Sequence, residues 1–163
     1  MHTADSLWQQ GTRGGPMKRY TAMFTELVRA EIELWNTLDS VLLGSVGISL
    51  PQFQALTAIA AQPGTARVQE ISAEMSITVG ATSKLVDRLE RDDLATRSAH
   101  PHDRRSSIVS LTASGSAALA SAGEVAEAYL RRSLEGAPAP VDVAQLHDQL
   151  AALRAHIRTG VAE

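Results

Sequence analysis

Apolar side chains recur every three or four positions in long stretches at both ends of this chain, while its middle is built from shorter pieces. Over residues 16–43 the apolar set is Tyr20, Phe24, Leu27, Leu34, Trp35, Leu38, Val41 and Leu42. That spacing predicts one long amphipathic helix, stopped by Gly44 and Gly47. Ser49-Leu-Pro-Gln52 is a capping box, in which the serine hydroxyl accepts from the first turn and the glutamine reaches back. A short helix follows with Phe53, Leu56 and Ala60 inward, and Pro63-Gly64 ends it. Val68, Ile71 and Met75 share one face of the next helix. Ser76-Ile77-Thr78 is a tight connection with Thr78 as N-cap. A helix over 79–92 then turns Thr82, Leu85, Val86 and Leu89 inward and leaves Gly80, Ser83, Lys84 and Asp87 on the opposite stripe.

The period changes after Leu94. Residues 95–99 and 107–111 predict two short strands, and the polar segment 101–105 (PHDRR) a turn between them, which makes a β-hairpin. Thr112 caps another long helix over 113–134. The GAPAP segment at 136–140 is a hinge, and Leu146, Leu150, Leu153 and Ile157 form a coiled-coil-like seam on a last helix. Residues 1–15 show no periodicity and read as a leader closed by Gly14-Gly15-Pro16. The expected fold is mainly α with a small β-hairpin, a single domain over 16–163. The length of 163 residues fits that organisation.

Composition narrows the chemistry. The chain has no Cys, which excludes a disulfide framework, a thiolate metal site and a cysteine redox sensor. The N-terminal residues lack the basic-then-apolar pattern of a signal peptide, and no apolar run is long enough to span a bilayer. A soluble, cytoplasmic protein with no membrane partner is expected. There is no phosphate-binding glycine loop, nucleophile elbow or framed pair of catalytic carboxylates, so the chain does not read as an enzyme and calls for no cofactor. His100 and His102 flank Pro101 without a carboxylate or thiolate framework, so they read as surface residues of the hairpin and no metal is expected.

Two short helices joined by a tight turn and followed by a hairpin make a winged helix-turn-helix. In that arrangement the second helix enters the major groove, where each base pair shows its own donor and acceptor pattern. The free amides at its N-terminus, around Thr78 and Gly80, suit a phosphate. Arg104 and Arg105 on the hairpin can reach a minor groove, where the potential is most negative. The net charge of −3 weighs against DNA. Lys84, Arg88, Arg91, Arg97, Arg104 and Arg105 crowd one stretch, but Asp87, Glu90, Asp92, Asp93 and Asp103 lie among them. Only a fold that sorts these charges onto different faces would make a DNA surface.

Residues 65–115 resemble the central segment of MarR-family regulators. The matching stretches are 68–75 (VQEISAEM), 79–90 (VGATSKLVDRLE) and above all 103–112 (DRRSSIVSLT) with Gly115. The resemblance implies a bacterial transcriptional regulator, a repressor acting as a homodimer on a pseudo-palindromic double-stranded DNA operator. It implies that 48–112 is the DNA-binding part and that 16–45 and 113–160 are dimerisation helices. Arg105 matches the wing arginine that enters the minor groove, with Asp103 and Asp87 placed to orient it. Thr82, Ser83 and Lys84 match the recognition-helix positions nearest bases and phosphates. Asp93 departs from the pattern, which has Gly there, and Asp tolerates a left-handed backbone better than most residues.

Trp35 has two readings. It is an ordinary packing residue, the usual role of a buried tryptophan, or it lines a pocket for a small phenolic or aromatic effector such as relatives sense. The whole fold also has a second reading, a protein–protein interaction module without sequence-specific DNA binding, because fold does not fix function and the charge is near neutral.

Overall fold

A computed structural model describes residues 16–100 and 103–160; the leader expected over 1–15 lies outside them. The order is α1 (Pro16–Val46), α2 (Leu50–Ala60), α3 (Val68–Met75), α4 (Val79–Arg91), β1 (Ala95–His100), β2 (Asp103–Leu111), α5 (Ala113–Glu135) and α6 (Val143–Thr159). The chain is mainly α with one two-stranded antiparallel sheet, as the sequence predicts. No single helix among the described residues is long and apolar enough to cross a membrane.

The core lies where α2, α3 and α4 meet β2 and the C-terminal half of α1. Leu42, Leu56, Ile59, Ile71, Val86, Leu89 and Val109 are its largest fully buried apolar side chains. The α1 helix changes role along its length. Leu38 and Leu42 are buried, whereas Tyr20, Met23, Phe24, Leu27 and Ile32 face solvent. The seam expected on α6 is likewise exposed, and α6 buries none of its residues.

The Ser49 capping box forms: its backbone N–H donates to Gln52 Oε1 at 2.9 Å, and the Gln52 amide donates to Ser49 Oγ at 3.4 Å. Asp39 of α1 accepts from the Leu50 amide at 2.7 Å and ties α1 to the start of α2. Ala60, expected inward, is exposed. The buried face of α2 is instead Leu50, Ala55, Leu56, Ala58 and Ile59. Because α2 touches α1, α3, α4, α5 and β2, its buried face is wider than one stripe and centred elsewhere.

The hairpin also departs from expectation. β2 begins at Asp103, so Asp103, Arg104 and Arg105 have strand backbone and the connection shortens to 101–102. Pairing runs regularly from Ala95↔Leu111 to Ala99↔Ser107, then jumps to His100↔Asp103, and Arg104, Arg105 and Ser106 fall in the jump. Residues 103–106 are polar and show no apolar alternation, so the sequence carried no sign of this extension.

α3 and α4 both end in Schellman turns. At the end of α3, Ser76 is left-handed at φ 55°, and the Ile77 amide donates to Ser72 O at 3.1 Å. At the end of α4, Asp93 is left-handed at φ 56°, and the Leu94 amide donates to Leu89 O at 2.8 Å. A left-handed non-glycine residue costs about 1–2 kcal/mol. Here Thr112 Oγ1 donates to Asp93 O at 2.6 Å and Ser114 Oγ to Asp93 Oδ2 at 3.3 Å. Those bonds tie the turn to the start of α5.

Gly115 sits at the same junction. A Cβ placed there would lie 1.8 Å from Leu94 O, a backbone atom that cannot swing aside. The Thr-x-x-Gly spacing therefore has a physical cause: Thr112 caps α5 by accepting from the Gly115 amide at 2.9 Å, and the missing side chain lets α5 press on the chain leaving α4. Gly115→Ala is expected to lower stability by at least the roughly 1–3 kcal/mol typical of overpacking. Thermal unfolding followed by circular dichroism checks this, and an unchanged melting temperature would contradict the close approach.

Candidate nucleic-acid interface

The second helix of the pair, α4, is held from behind and bare in front. Leu85, Val86, Leu89 and Thr82 are buried. Thr78 caps the helix as expected, its Oγ1 accepting from the Ala81 amide at 3.2 Å. The first intrahelical bond is from the Thr82 amide to Thr78 O at 3.0 Å. The amides of Val79 and Gly80 therefore belong to the set a helix start leaves open. Gly80 is exposed and has nothing within 4 Å of where a side chain would begin, so it presents bare backbone.

The expected residues on this helix do not all face the same way. Lys84 and Arg88 are exposed, and Ser83 is half-buried. Thr82, expected among the DNA-facing residues, is fully buried, and its hydroxyl donates to Thr78 O at 3.0 Å. It supports the first turn from inside and offers no side chain to the outer surface. Helical phase explains the correction, since position 82 lies on the stripe of Leu85, Val86 and Leu89.

The acidic residues that crowd this segment are largely taken up. Arg97 of β1 accounts for two of them: its Nη1 donates to Asp87 Oδ1 at 2.7 Å and also to Glu90 Oε2. Its Nη2 donates to Ser83 O at 3.3 Å, and its backbone N–H donates to Glu90 Oε1 at 2.8 Å. Asp92 accepts from Gln52 Nε2 at 3.0 Å and from Arg91 Nε at 3.4 Å, and the Asp93 carboxylate accepts from Ser114 Oγ at 3.3 Å. Lys84 and Arg88 make no ion pair among the described residues. The fold thus sorts the charges, leaving these two cations on the outer surface.

Among the described residues the Asp87 carboxylate accepts from Arg97; Asp87 was expected to orient Arg105, whose side chain lies outside the described set. Arg97 was counted among the cations of the segment and given no role. The missed signal was Asp87 and Glu90, three apart on one flank of a helix, followed directly by a strand that runs back beside them. Asp103, Arg104 and Arg105 lie on β2, and their side chains, like those of His100 and His102, are outside the described set.

Along the flank of α4 that carries Lys84 and Arg88 lies a cavity of about 500 Å³, whose lining also includes Trp35, Met75, Ile77 and Leu85. Trp35 is 36% exposed, so it is no core residue, and it faces this hollow from α1. The volume lies within the range of small-molecule sites, about 300–1,000 Å³. A second hollow of about 440 Å³, on the other side of Met75, involves Phe53, Ala61 and Arg154 and does not reach α4.

Known proteins share this arrangement. Residues 46–106 match the MarR family. The uncharacterized HTH-type transcriptional regulator YfiV of Bacillus subtilis (strain 168) is 30% identical over 116 residues, covering 71% of this chain and 67% of that protein. The transcriptional regulator BldR from Sulfolobus solfataricus superposes with a TM-score of 0.78 at 20% identity, covering 88% of this chain and 99% of that one. CouR from Rhodococcus jostii RHA1 bound to p-coumaroyl-CoA gives 0.70 at 24% identity, with 80% and 90% covered. CouR bound to a 23-mer DNA duplex gives 0.64 at 27%, with 82% and 89% covered. With a helix pair, a hairpin and a charge-sorted second helix in place, the chain belongs to the MarR family of winged helix-turn-helix, DNA-binding transcriptional regulators, which are not enzymes.

Proposed function

We propose that this chain is a cytoplasmic, homodimeric repressor that binds a pseudo-palindromic operator and is released by a small aromatic anion. The single observation that carries the DNA reading is α4: capped by Thr78, buried on one stripe, with open helix-start amides and with Lys84 and Arg88 in no ion pair among the described residues. Residues 48–112 act as the reading head. Its second helix enters the major groove, and the hairpin carries Arg104 and Arg105 to the adjacent minor groove.

Operator affinity should fall with salt at about −0.9 in log–log slope per phosphate neutralised. Arg105→Ala is expected to weaken binding by about 1–3 kcal/mol without changing the melting temperature. Arg104→Ala should be milder, and Lys84→Ala should reduce the salt slope. Gel shifts on the DNA upstream of its own gene, with scrambled duplex as control, check these outcomes. Equal binding to both duplexes would move the protein-interaction reading ahead.

Dimerisation is supported by the apolar residues that one chain leaves bare: Tyr20, Phe24, Leu27 and Ile32 on α1, and Leu146, Leu150, Leu153 and Ile157 on α6. Helices with exposed seams of this spacing bury them against another helix. Two heads would then sit roughly 34–36 Å apart, one turn of DNA. Sedimentation at micromolar concentration is expected to give a dimer, and a clean monomer would overturn this part.

The effector reading rests on the cavity along the flank of α4. Trp35, Ile77 and Leu85 offer an aromatic and aliphatic lining, and Lys84 and Arg88 offer the charge for a carboxylate. An anion held there would compete for the same cations that face phosphate, which couples occupancy to release. CouR, which shares the fold, is bound to p-coumaroyl-CoA, a thioester with an aromatic acyl group and no free carboxylate. Benzoate, salicylate and p-coumarate are the probes. At least one is expected to release operator from the parent and to lose that effect in Trp35→Ala, with DNA affinity kept; release unaffected by Trp35→Ala would remove the cavity from the account.

A further inference from the structure

The hairpin and α4 are joined by one side chain. Arg97 stands in the middle of β1, paired with Val109, which is fully buried and whose amide donates to Ala66 O at 2.8 Å. The Arg97 backbone is therefore fixed to the core. Its side chain leaves the sheet, is 23% exposed, and reaches α4 at Ser83, Asp87 and Glu90. Those positions are four and then three apart, so they line one flank of the helix over two turns. A planar guanidinium with several fixed donors can hold such a set at once; an ammonium acts as a single point charge.

The position of this contact matters for what lies beyond it. Arg104 and Arg105 fall in the register break between Ala99 and His100, two to three residues outward from Arg97 along the hairpin. At about 3.3 Å per residue this is roughly 10 Å of lever arm. Past Ala99 the regular ladder is interrupted, so the outer hairpin has little pairing of its own to set its angle. Any rocking at the base becomes displacement at the tip, where the arginines must enter a groove only about 6 Å wide.

We infer that Arg97 is a positioning residue that locks the hairpin to the recognition helix, so that minor-groove readout by the wing stays in register with major-groove readout by α4. This rests on the DNA reading proposed above. It assigns Arg97 no contact with DNA. Its second effect is electrostatic: by holding Asp87 and Glu90 it keeps two carboxylates on the α4 flank from repelling phosphates.

The test separates these effects. Arg97→Lys keeps the charge and loses the fork; Glu90→Ala removes the acceptors of both the Arg97 backbone N–H and its guanidinium, together with a negative charge. Because the chain has no cysteine, Ser98→Cys gives a single exposed label site on β1. A nitroxide there, in free protein, is expected to be ordered in the parent and clearly more mobile in both variants. A randomised duplex library selected by parent and variants then reads specificity. The flanking A/T preference, about five- to tenfold per base pair in the parent, should fall to about twofold or less, while preference in the half-site core is kept. Unchanged label mobility, or unchanged flank preference, overturns the proposal. So does a parallel loss at core and flank with a lower melting temperature, which would mean a purely structural role. A parent that selects no sequence would refute the DNA reading, and the label in free protein would still decide whether the clamp exists.

Discussion

A helix whose outer face must stay bare can be held only from behind, and burial of the inner stripe of α4 is the interaction on which the rest depends. Leu85, Val86 and Leu89 are all largely or fully buried, with Thr82 among them. Fully burying one such aliphatic side chain contributes about 1.5–3 kcal/mol. The stripe sets both the depth and the rotation of α4, and so decides that Lys84 and Arg88 look outward and Ser83 to the side. The caps refine what the stripe fixes: Thr78 begins the helix, and Asp93, bonded to Thr112 and Ser114, ends it against α5.

Once α4 is placed, the charge problem resolves locally. The net charge of −3 looked unfavourable for a polyanion partner. Net charge, however, averages over a whole surface, and phosphates meet only one face. On that face Asp87 and Glu90 are bonded to Arg97, and Asp92 accepts from Gln52. A single arginine on the strand thus neutralises acids on the helix, and Lys84 and Arg88 enter no ion pair among the described residues.

The sequence made the helices legible because each has a core face to write into the apolar period, and it made the caps legible because Ser49, Thr78 and Thr112 use side-chain chemistry that is local. The Asp93 backbone was readable for the same reason. What stayed hidden depended on relations across the fold. Residues 103–106 carry no apolar alternation, so the early start of Asp103–Leu111 left no signal in the period. The partner of Asp87 is ten residues away on another element, which spacing within one helix does not reveal. Thr82 was assigned by resemblance to the outer surface although its own apolar neighbours at 85, 86 and 89 already placed it inside. There the periodicity was the better guide.

The remaining constraint lies in α1, which serves two environments in one unbroken helix. Ile32 is 49% exposed and Leu38 is 7% exposed, and Trp35 stands between them at the point where the helix passes from open seam to core. The cavity opens at that same point, bounded by α1, α2, α3 and α4. In the proposed dimer the outer half of α1 would be held by the partner and the inner half by the reading head. A ligand under Trp35 would therefore press on a segment connected to both. Since α1 is a continuous helix with no break at this position, it cannot yield locally. It must tilt as a whole or pass the displacement to α2 through Asp39, whose carboxylate holds the first amide of α2. Either response moves one reading head relative to the dimer seam, and operator half-sites at fixed spacing tolerate little of that motion.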